Sequence, residues 1–396
     1  MGLNAQPSGE RVHIGFFGLR NAGKSSVVNR VTGQTLSIVS DVKGTTTDPV
    51  QKAMELLPVG PVVIIDTPGI DDEGTLGEER VRRALRVLEK TDIAVLVTDS
   101  TRGLQPAEQE LIELFRKREI PFVIAHNKAD LTSIPAAVPE NEIYVSAVTG
   151  DGINELKERI ARTAKPSAPE KHLVADLLAP NDTVVLVVPI DSAAPKGRLI
   201  LPQQLVLRDV LDNGAVATVC RDTELADTLA LLKSPPRLVI TDSQAFGEVS
   251  KIVPADVPLT SFSIIMARLK GDLRTLADGA AALENIPNGA RVLICEGCTH
   301  HRQCDDIGTV KLPRWIAAHT GKSFKFEFTS GGEFPAEPGD YALVVHCGGC
   351  MLNEREMHYR IAKCRAADVP IVNYGVLIAH MNGILARSLE PFSGKF

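Results

Sequence analysis

The stretch GLRNAGKS at residues 18–25 decides the fold of the first part of the chain. It fits the pattern G-x-x-x-x-G-K-S, in which glycines let successive backbone N–H groups wrap around phosphates. The lysine of this pattern reaches the terminal phosphates, and the hydroxyl residue binds Mg²⁺. An apolar run at 11–18 and a helical stretch at 24–31 flank the loop, as this motif requires. We therefore predict a phosphate-binding loop made of Gly18, Asn21, Ala22, Gly23, Lys24, Ser25 and Ser26.

Further motifs follow at the ends of later apolar runs. DTPG at 66–69 places Asp66 to hold Mg²⁺ through water and the Gly69 amide to sense a terminal phosphate. NKAD at 127–130 places the Asp130 carboxylate where it can accept two hydrogen bonds from guanine. Adenine offers no such pair of donors, so the predicted base is guanine. The remaining predicted nucleotide contacts are Thr46, which we favour as a second hydroxyl on Mg²⁺, and Asn127, Lys128, Ser146 and Ala147.

The predicted site departs from the Ras-like pattern at two positions. Ile70 stands where Ras-like GTPases carry the glutamine that orients the attacking water, and Asn21 lies inside the phosphate loop. Both features resemble the GTPases related to the bacterial tRNA-modification enzyme, over about residues 10–165. The resemblance implies that Asn21 helps to hold a K⁺ ion that stimulates GTP hydrolysis. Asn21 as a simple loop-capping residue is the alternative. The predicted catalytic residues are Lys24, Asn21, Thr46 and Asp66.

The order of apolar runs and helical stretches predicts the domain organisation. Their alternation over the first 165 residues indicates a parallel α/β sheet. The stretch KPSAPEK at 165–171 has proline, serine and charge without an apolar period, so we expect a linker there. Two smaller sets of strands and helices follow. The predicted fold class is α/β, with a P-loop GTPase domain at 1–168, a middle dimerisation domain at 169–270 and a third, cluster-binding domain at 271–396.

Composition and charge exclude several classes of protein. A chain of 396 residues is too long for one small module, and 44% hydrophobic residues exclude a wholly disordered chain. The net charge of −6 argues against a surface built to neutralise nucleic-acid phosphates. No apolar run is long enough to span a membrane, and the opening residues lack a secretory signal. We therefore expect a cytoplasmic protein with reduced cysteines that binds neither nucleic acid nor membrane.

Six of the seven cysteines lie in the third predicted domain, together with several histidines. Two clusters, CTH at 298–300 and HCGGC at 346–350, each follow a predicted strand, so they should meet at the carboxyl edge of a parallel sheet. Thiolates with imidazoles nearby suit zinc or an iron–sulfur cluster, and their spacing does not choose between the two. We expect Cys298, Cys347 and Cys350 to be ligands and Cys220, Cys295 and Cys364 to be packing residues, whereas the role of Cys304 is open.

The pairing of a potassium-type GTPase with these thiolate clusters resembles the HydF family, the maturation GTPases of FeFe-hydrogenases, over nearly the whole chain. The resemblance implies a 4Fe-4S cluster on Cys298, Cys347 and Cys350 and a homodimer formed through the middle domain. It implies a scaffold that carries a two-iron precursor to the apo-hydrogenase, with GTP or GDP, Mg²⁺ and K⁺ as cofactors and radical-SAM hydrogenase maturases as partners. Three thiolates leave one coordination position, which His300 or His346 fills or which stays open for exchange.

Two other functions compete with this interpretation. A GTPase associated with RNA or ribosomes needs a basic appendix that reads nucleic acid. Residues 271–396 instead hold 13 Lys and Arg against 14 Asp and Glu, which weighs against that function. A GTPase stabilised by zinc at the same thiolates is the second alternative, and an analysis of iron and sulfide separates it from an iron–sulfur protein.

Overall fold

The computed structural model describes residues 8–34, 50–67, 85–164, 171–190, 199–297 and 306–394. The chain divides into two compact units, Met1–Pro169 and Glu170–Phe396. Most of the predicted linker, residues 165–170, lies outside the described residues. Within the described ranges, no helix is both long enough and apolar enough to cross a lipid bilayer.

The first unit contains a six-stranded sheet in the order β2-β3-β1-β4-β5-β6, which is parallel except for β2. Its strands are β1 (Val12–Phe17), β2 (Val50–Leu56), β3 (Gly60–Asp66), β4 (Ile93–Asp99), β5 (Phe122–Asn127) and β6 (Glu142–Tyr144). Helices packed on the sheet include α1 (Lys24–Thr32), α2 (Pro106–Lys117) and α3 (Ile153–Ala164). All seven residues of β4 are buried, as expected for a central strand covered on both faces.

The parallel α/β sheet predicted for the first unit is confirmed, and the sequence analysis missed one edge strand. β2 runs antiparallel to β3, with Met54 opposite Val62. Its sequence VQKAMEL has no continuous apolar run, and residues 51–53 are exposed. An edge strand with little buried surface gives only a weak hydrophobic signal, which explains why this strand was missed.

The second unit contains two four-stranded sheets whose strands are all parallel. The first has the order β10-β9-β7-β8, with β7 (Thr183–Val187), β8 (Val216–Cys220), β9 (Leu238–Thr241) and β10 (Leu259–Ser261). The second has the order β12-β11-β13-β14, with β11 (Arg291–Glu296), β12 (Lys325–Ser330), β13 (Leu343–His346) and β14 (Ile371–Asn373).

Nine further helices belong to this unit within the described residues. They are α4 (Leu201–Asp212), α5 (Leu225–Leu231), α6 (Phe246–Ile252), α7 (Phe262–Lys270), α8 (Leu273–Ala281), α9 (Leu312–Thr320), α10 (Glu354–Ala366), α11 (Tyr374–Met381) and α12 (Leu385–Leu389).

The two sheets of the second unit share one hydrophobic core, which contains buried residues from both, such as Val185 of β7 and Val344 of β13. The helix α8 packs so closely on β14 that a Cβ at Gly279 would stand 2.0 Å from the carbonyl oxygen of Ile371. The boundary that the sequence places at residue 270 falls between α7 and α8. The three-domain division stays a prediction, and the middle segment cannot be removed without exposing this core.

Candidate functional site

The phosphate loop connects β1 to α1 and depends on two glycines. A Cβ at Gly18 would lie 2.5 Å from the carbonyl oxygen of Val97, and one at Gly23 would lie 2.2 Å from Asn127 Nδ2. Gly23 also has a φ of 83°, a left-handed conformation that L side chains rarely adopt. Asn21 has a φ of 65° and is exposed, as is Ser26. The local backbone therefore takes the form that the motif predicts.

Asn127, at the end of β5, joins the phosphate loop to the loop after β6. Its Nδ2 donates to the carbonyl oxygen of Ala22 at 2.9 Å, and its Oδ1 accepts from the Ala147 backbone N–H at 3.1 Å. The Asn127 side chain is buried. One amide group thus fixes the relative positions of two loops that the sequence assigns to different parts of the nucleotide.

Lys24 and Asp66 form a buried ion pair at the base of the loop, with side chains that are 9% and 10% exposed. Ser25 Oγ lies 3.5 Å from the second carboxylate oxygen of Asp66. The structure therefore brings together the lysine and two of the groups that the sequence assigns to Mg²⁺. Thr46, Gly69 and Ile70 lie outside the described residues.

The base-reading motif has a support that the sequence analysis missed. Lys128 has a φ of 65°, and its Nζ donates to Asp99 Oδ2 at 2.5 Å. Burial alone raises the pKa of Asp99, but hydrogen bonds from Lys128 and Thr101 outweigh it and lower this pKa to about 2. Asp99 is the last residue of β4, and an acidic residue at the end of a buried strand is the signal that could have found it.

The other predicted base contacts are Asp130, Ser146 and Ala147. Asp130 is exposed in the short 3₁₀ turn Ala129–Leu131, where its carboxylate is accessible to a base. Ser146 is fully buried, and its Oγ accepts from the Thr149 backbone N–H at 3.1 Å. This serine orders the loop, in which the backbone N–H of the neighbouring Ala147 donates to Asn127 Oδ1.

The second candidate site lies at the carboxyl edge of the sheet β12-β11-β13-β14. Cys295 of β11 pairs in register with His346 of β13, and the Cys347 backbone N–H donates to the Cys295 carbonyl oxygen at 2.9 Å. Cys347 Sγ accepts from the Gly297 N–H at 3.0 Å and from the Gly349 N–H at 3.4 Å. Cys298, His300 and Cys304 lie outside the described residues, but Gly297 immediately precedes Cys298. Gly297, the last described residue before the CTH segment, therefore lies beside the Cys347 thiol.

A buried lysine holds the Cys350 loop, and the sequence analysis missed it. Lys270, at the end of α7, is 4% exposed and donates from Nζ to the carbonyl oxygens of Cys350 at 3.2 Å and Leu352 at 2.9 Å. Gly349, with a φ of 65°, makes the turn between the two cysteines. No pattern in the sequence connects residue 270 with residue 350, because only the tertiary fold brings them together.

His346, which the sequence offers as a fourth ligand, has both ring nitrogens engaged. Arg360 can only donate, so His346 Nε2 accepts from Arg360 Nη1 at 2.9 Å and Nδ1–H donates to the Cys347 carbonyl oxygen at 2.9 Å. Burial, together with the charge of Arg360, lowers the pKa of His346 to about 3. His346 would have to break one of these bonds to bind a metal.

The described residues around Cys347 fit a group held by thiolates. Burial raises the pKa of the Cys347 thiol to about 11, although the N–H groups of Gly297 and Gly349 lower it. Tyr374 Oη is a buried hydroxyl without a hydrogen-bond partner among the described residues, and it packs against Gly308. Thiols are soft donors suited to zinc or iron–sulfur clusters. Cys295 and Cys364 are buried in β11 and α10, the packing positions that the sequence predicts for them.

Family models match three segments of the chain. Residues 173–271 match the hydrogen maturase F dimerization domain, and residues 274–391 match the hydrogen maturase F tetramerization domain. This chain belongs to the hydrogen maturase F family. The sequence analysis assigned the last segment to cluster binding. The family model that matches this segment is named for tetramerization, a role that the residues did not indicate.

The third match is a GTPase model, described as a 50S ribosome-binding GTPase, over residues 13–128. The first unit of this hydrogen maturase F chain is therefore a P-loop GTPase domain, as the sequence predicts. The tRNA modification GTPase MnmE of Nitrosomonas europaea is 32% identical over 160 residues, which is 39% of this chain and 35% of that protein. MnmE of Legionella pneumophila strain Paris is 37% identical over 145 residues, 36% of this chain and 32% of that protein.

The chain spans about a third of the length of these curated relatives, and only its GTPase part matches them. Among solved structures, a probable GTP-binding protein engB is 26% identical, with a TM-score of 0.32 over 39% of this chain and 98% of that one. That overlap is too small to bear on the arrangement of the whole chain. The family assignment of this chain therefore rests on the matches to the second unit and not on the GTPase relatives.

Proposed function

We propose that this chain is a GTP-hydrolysing scaffold that receives a two-iron precursor and delivers it to apo FeFe-hydrogenase. In this proposal Cys298, Cys347 and Cys350 hold a 4Fe-4S cluster. The observation that carries it is the contact of the Gly297 N–H with Cys347 Sγ, because Gly297 is the residue that directly precedes the proposed ligand Cys298 in the sequence. The hydrogen maturase F family models over the same unit support the assignment to hydrogenase maturation.

The proposed ligand set leaves one coordination position for exchange or for His300. His346 is disfavoured as that ligand, since its two ring nitrogens bind Arg360 and the Cys347 carbonyl oxygen. A 4Fe-4S cluster held by three thiolates supplies one iron with an exchangeable coordination position. The residues of the chain orient the site: backbone N–H groups bind Cys347 Sγ, and Lys270 fixes the Cys350 carbonyl oxygen.

In the GTPase domain we propose that Lys24 binds the phosphates and that Ser25, Thr46 and Asp66 hold Mg²⁺. Asp130 reads guanine, and Asn21 holds a K⁺ ion that stabilises the charge developing on the transferred phosphoryl group. In support, Ser25 Oγ and Asp66 Oδ2 already lie 3.5 Å apart, and Asn21 is exposed within the phosphate loop. The radical-SAM hydrogenase maturases are the proposed source of the two-iron precursor.

We further propose that the chain forms a homodimer through the sheet β10-β9-β7-β8. Its edge strand β8 exposes 50% of Val216 and 45% of Val219, one on each face of the strand, so a second copy paired along this free edge would cover apolar side chains on both faces. The match to a dimerization domain over 173–271 supports this assignment. Replacing both valines by glutamate should shift the chain to a smaller species in light scattering, and an unchanged mass would place the interface elsewhere.

Anaerobic purification followed by iron, acid-labile sulfide and zinc analysis tests the proposed cluster. The wild-type chain should contain about four iron and four sulfide per chain and show a broad visible absorbance. Cys347→Ser should lose most of both. Cys220→Ser is the matched control, because Cys220 is a half-buried thiol at the end of β8, and it should keep its iron. Zinc without sulfide in the wild type would contradict the proposal in favour of the zinc-stabilised alternative.

A further inference from the structure

A second cluster of metal-binding side chains lies in the second unit, apart from the cysteines. Glu284 sits in the 3₁₀ turn Ala282–Asn285, His319 in the last turn of α9, and His380 in the last turn of α11. His319 Nε2 and His380 Nε2 lie 2.8 Å and 2.9 Å from the same oxygen, Glu284 Oε1. One ligand atom from each side chain lies within 4.8 Å of the other two.

The fold holds these three groups in place from behind. Lys322 Nζ donates to the backbone carbonyl oxygens of Glu284 and Ile286, both at 2.9 Å, so the turn that carries Glu284 is fixed. Residues 374–379 of α11 are buried, which leaves little freedom for the helix that carries His380. The His319 and His380 rings stand with centroids 5.9 Å apart. The side chains of the two histidines are 28% and 22% exposed, so an ion can reach them from solvent.

Two imidazole nitrogens and one carboxylate oxygen form a donor set typical of zinc. Tetrahedral ligands at 2.0–2.1 Å from zinc stand about 3.3 Å from one another, so the two histidine–carboxylate distances of 2.8 Å and 2.9 Å need only a small expansion around an ion. Hydrogen bonds from His319 and His380 lower the pKa of Glu284, so its carboxylate is ionised at neutral pH. Lys322 is the nearby positive charge, and it acts against the affinity of the site.

We propose that Glu284, His319 and His380 bind a divalent cation of the zinc class, with a water molecule completing the coordination. Binding replaces the two Nε2–H hydrogen bonds by Nε2–metal bonds: each Nε2 gives up its proton to solvent, and each ring in the metal-bound state is neutral with its single proton on Nδ1. The ion joins the 3₁₀ turn to the ends of α9 and α11, three segments that are distant in sequence. It therefore stabilises the second unit against unfolding, because the ion binds the folded arrangement and not the separated segments.

The site does not depend on the proposed iron–sulfur cluster, and the experiment separates the two. The full-length chain carrying Cys347→Ser and Cys350→Ser is stripped with a chelator and titrated with Zn²⁺ against a chromophoric competitor. One Zn²⁺ should bind per chain. Co²⁺ in the same chain should give visible d–d bands without the ultraviolet charge transfer of a thiolate ligand. At a Zn²⁺ concentration 100 times its Kd, the melting temperature should rise by about 5–10 °C.

In that background His319→Ala and His380→Ala should each weaken Zn²⁺ binding at least about tenfold and remove the thermal shift. Glu284→Gln is the variant that guards against misfolding, because the amide oxygen still accepts from both histidines while the charge is lost. It should melt like the parent without metal and bind Zn²⁺ at least about tenfold more weakly. His358→Ala removes a histidine from the exposed face of α10 and should change nothing. Equal Zn²⁺ affinity in the parent, Glu284→Gln and His358→Ala chains would overturn the proposal.

Discussion

Replacing Asn127 by alanine should disconnect the phosphate loop from the base-binding loop. The change removes the hydrogen bond to the Ala22 carbonyl oxygen and the one from the Ala147 N–H. Ala22 is fully buried, so its carbonyl oxygen loses a partner that solvent cannot readily replace. A buried group left without a partner costs about 1–3 kcal/mol, and the partly buried Ala147 N–H should cost no more than about 1 kcal/mol, so we expect the free energy of unfolding of the first unit to fall by about 2–4 kcal/mol.

The same loss should appear in nucleotide binding, because two loops on opposite sides of the ligand are no longer held in register. If the change costs the complex 1.4 kcal/mol more than it costs the free folded chain, the affinity for a fluorescent GDP analogue falls about tenfold. Urea unfolding followed by circular dichroism reports the loss of structure in both units, so the first unit is measured as the part of the change that a second-unit reference does not share. The fluorescence of Trp315, which lies in α9 of the second unit, serves as the internal reference and should not shift.

Two variants sharpen this test of Asn127. Asn127→Asp keeps an acceptor for Ala147 but sets a carboxylate oxygen against the Ala22 carbonyl oxygen in a buried position, so it should be destabilised at least as much as Asn127→Ala. Asn141→Ala, an exposed asparagine of the same unit, should match the wild type. Wild-type stability and GDP affinity in the Asn127→Ala chain would refute the claim that this side chain couples the two loops.

Three other predictions follow from single groups. Asp99→Asn should lower the free energy of unfolding by about 2 kcal/mol at pH 6. Because the pKa of Asp99 is lowered from 3.8 to about 2 in the folded chain, this stabilisation is present above pH 3.8, and about half of the difference between variant and wild type should be gone at pH 3. A difference that grows toward low pH would contradict this. Lys270→Met should lower iron content and melting temperature together, since the carbonyl oxygens of the Cys350 loop lose their donor, as elemental analysis and calorimetry can check. GTP hydrolysis should be faster in KCl than in NaCl, and Asn21→Gly, which keeps the left-handed backbone, should abolish the difference. Equal wild-type rates in both salts would contradict the proposed role of K⁺.

The elements closest to the nucleotide were predictable because their signals are local. The phosphate loop needs Gly18 and Gly23 for steric reasons that hold wherever this strand–loop–helix unit occurs. The buried strand β4, Ile93–Asp99, is a nearly continuous apolar run, the pattern that a parallel strand covered on both faces shows in the sequence itself. Edge strands such as β2 and β12 gave no comparable signal, since their residues are half-buried or exposed and carry charges among the apolar positions.

Contacts between residues that are distant in the sequence could not be predicted from it. Lys270 reaches the Cys350 loop, Asp99 holds Lys128, and Glu284 meets His319 and His380, all over long separations in sequence. The shared core of the two sheets is a further case, because apolar periodicity shows that a strand is buried but not which neighbour covers it.

Activation of apo FeFe-hydrogenase by the purified chain is the most direct test of the central claim. The wild-type chain is produced together with the radical-SAM maturases, purified without oxygen, mixed with apo-hydrogenase, and assayed for hydrogen evolution. We predict activity with the wild-type chain and with Cys220→Ser, and its loss with Cys298→Ser, Cys347→Ser and Cys350→Ser, while all five chains still hydrolyse GTP. Hydrogen evolution at the wild-type level with all three of the latter variants would contradict the claim that these thiols hold the group on which delivery depends.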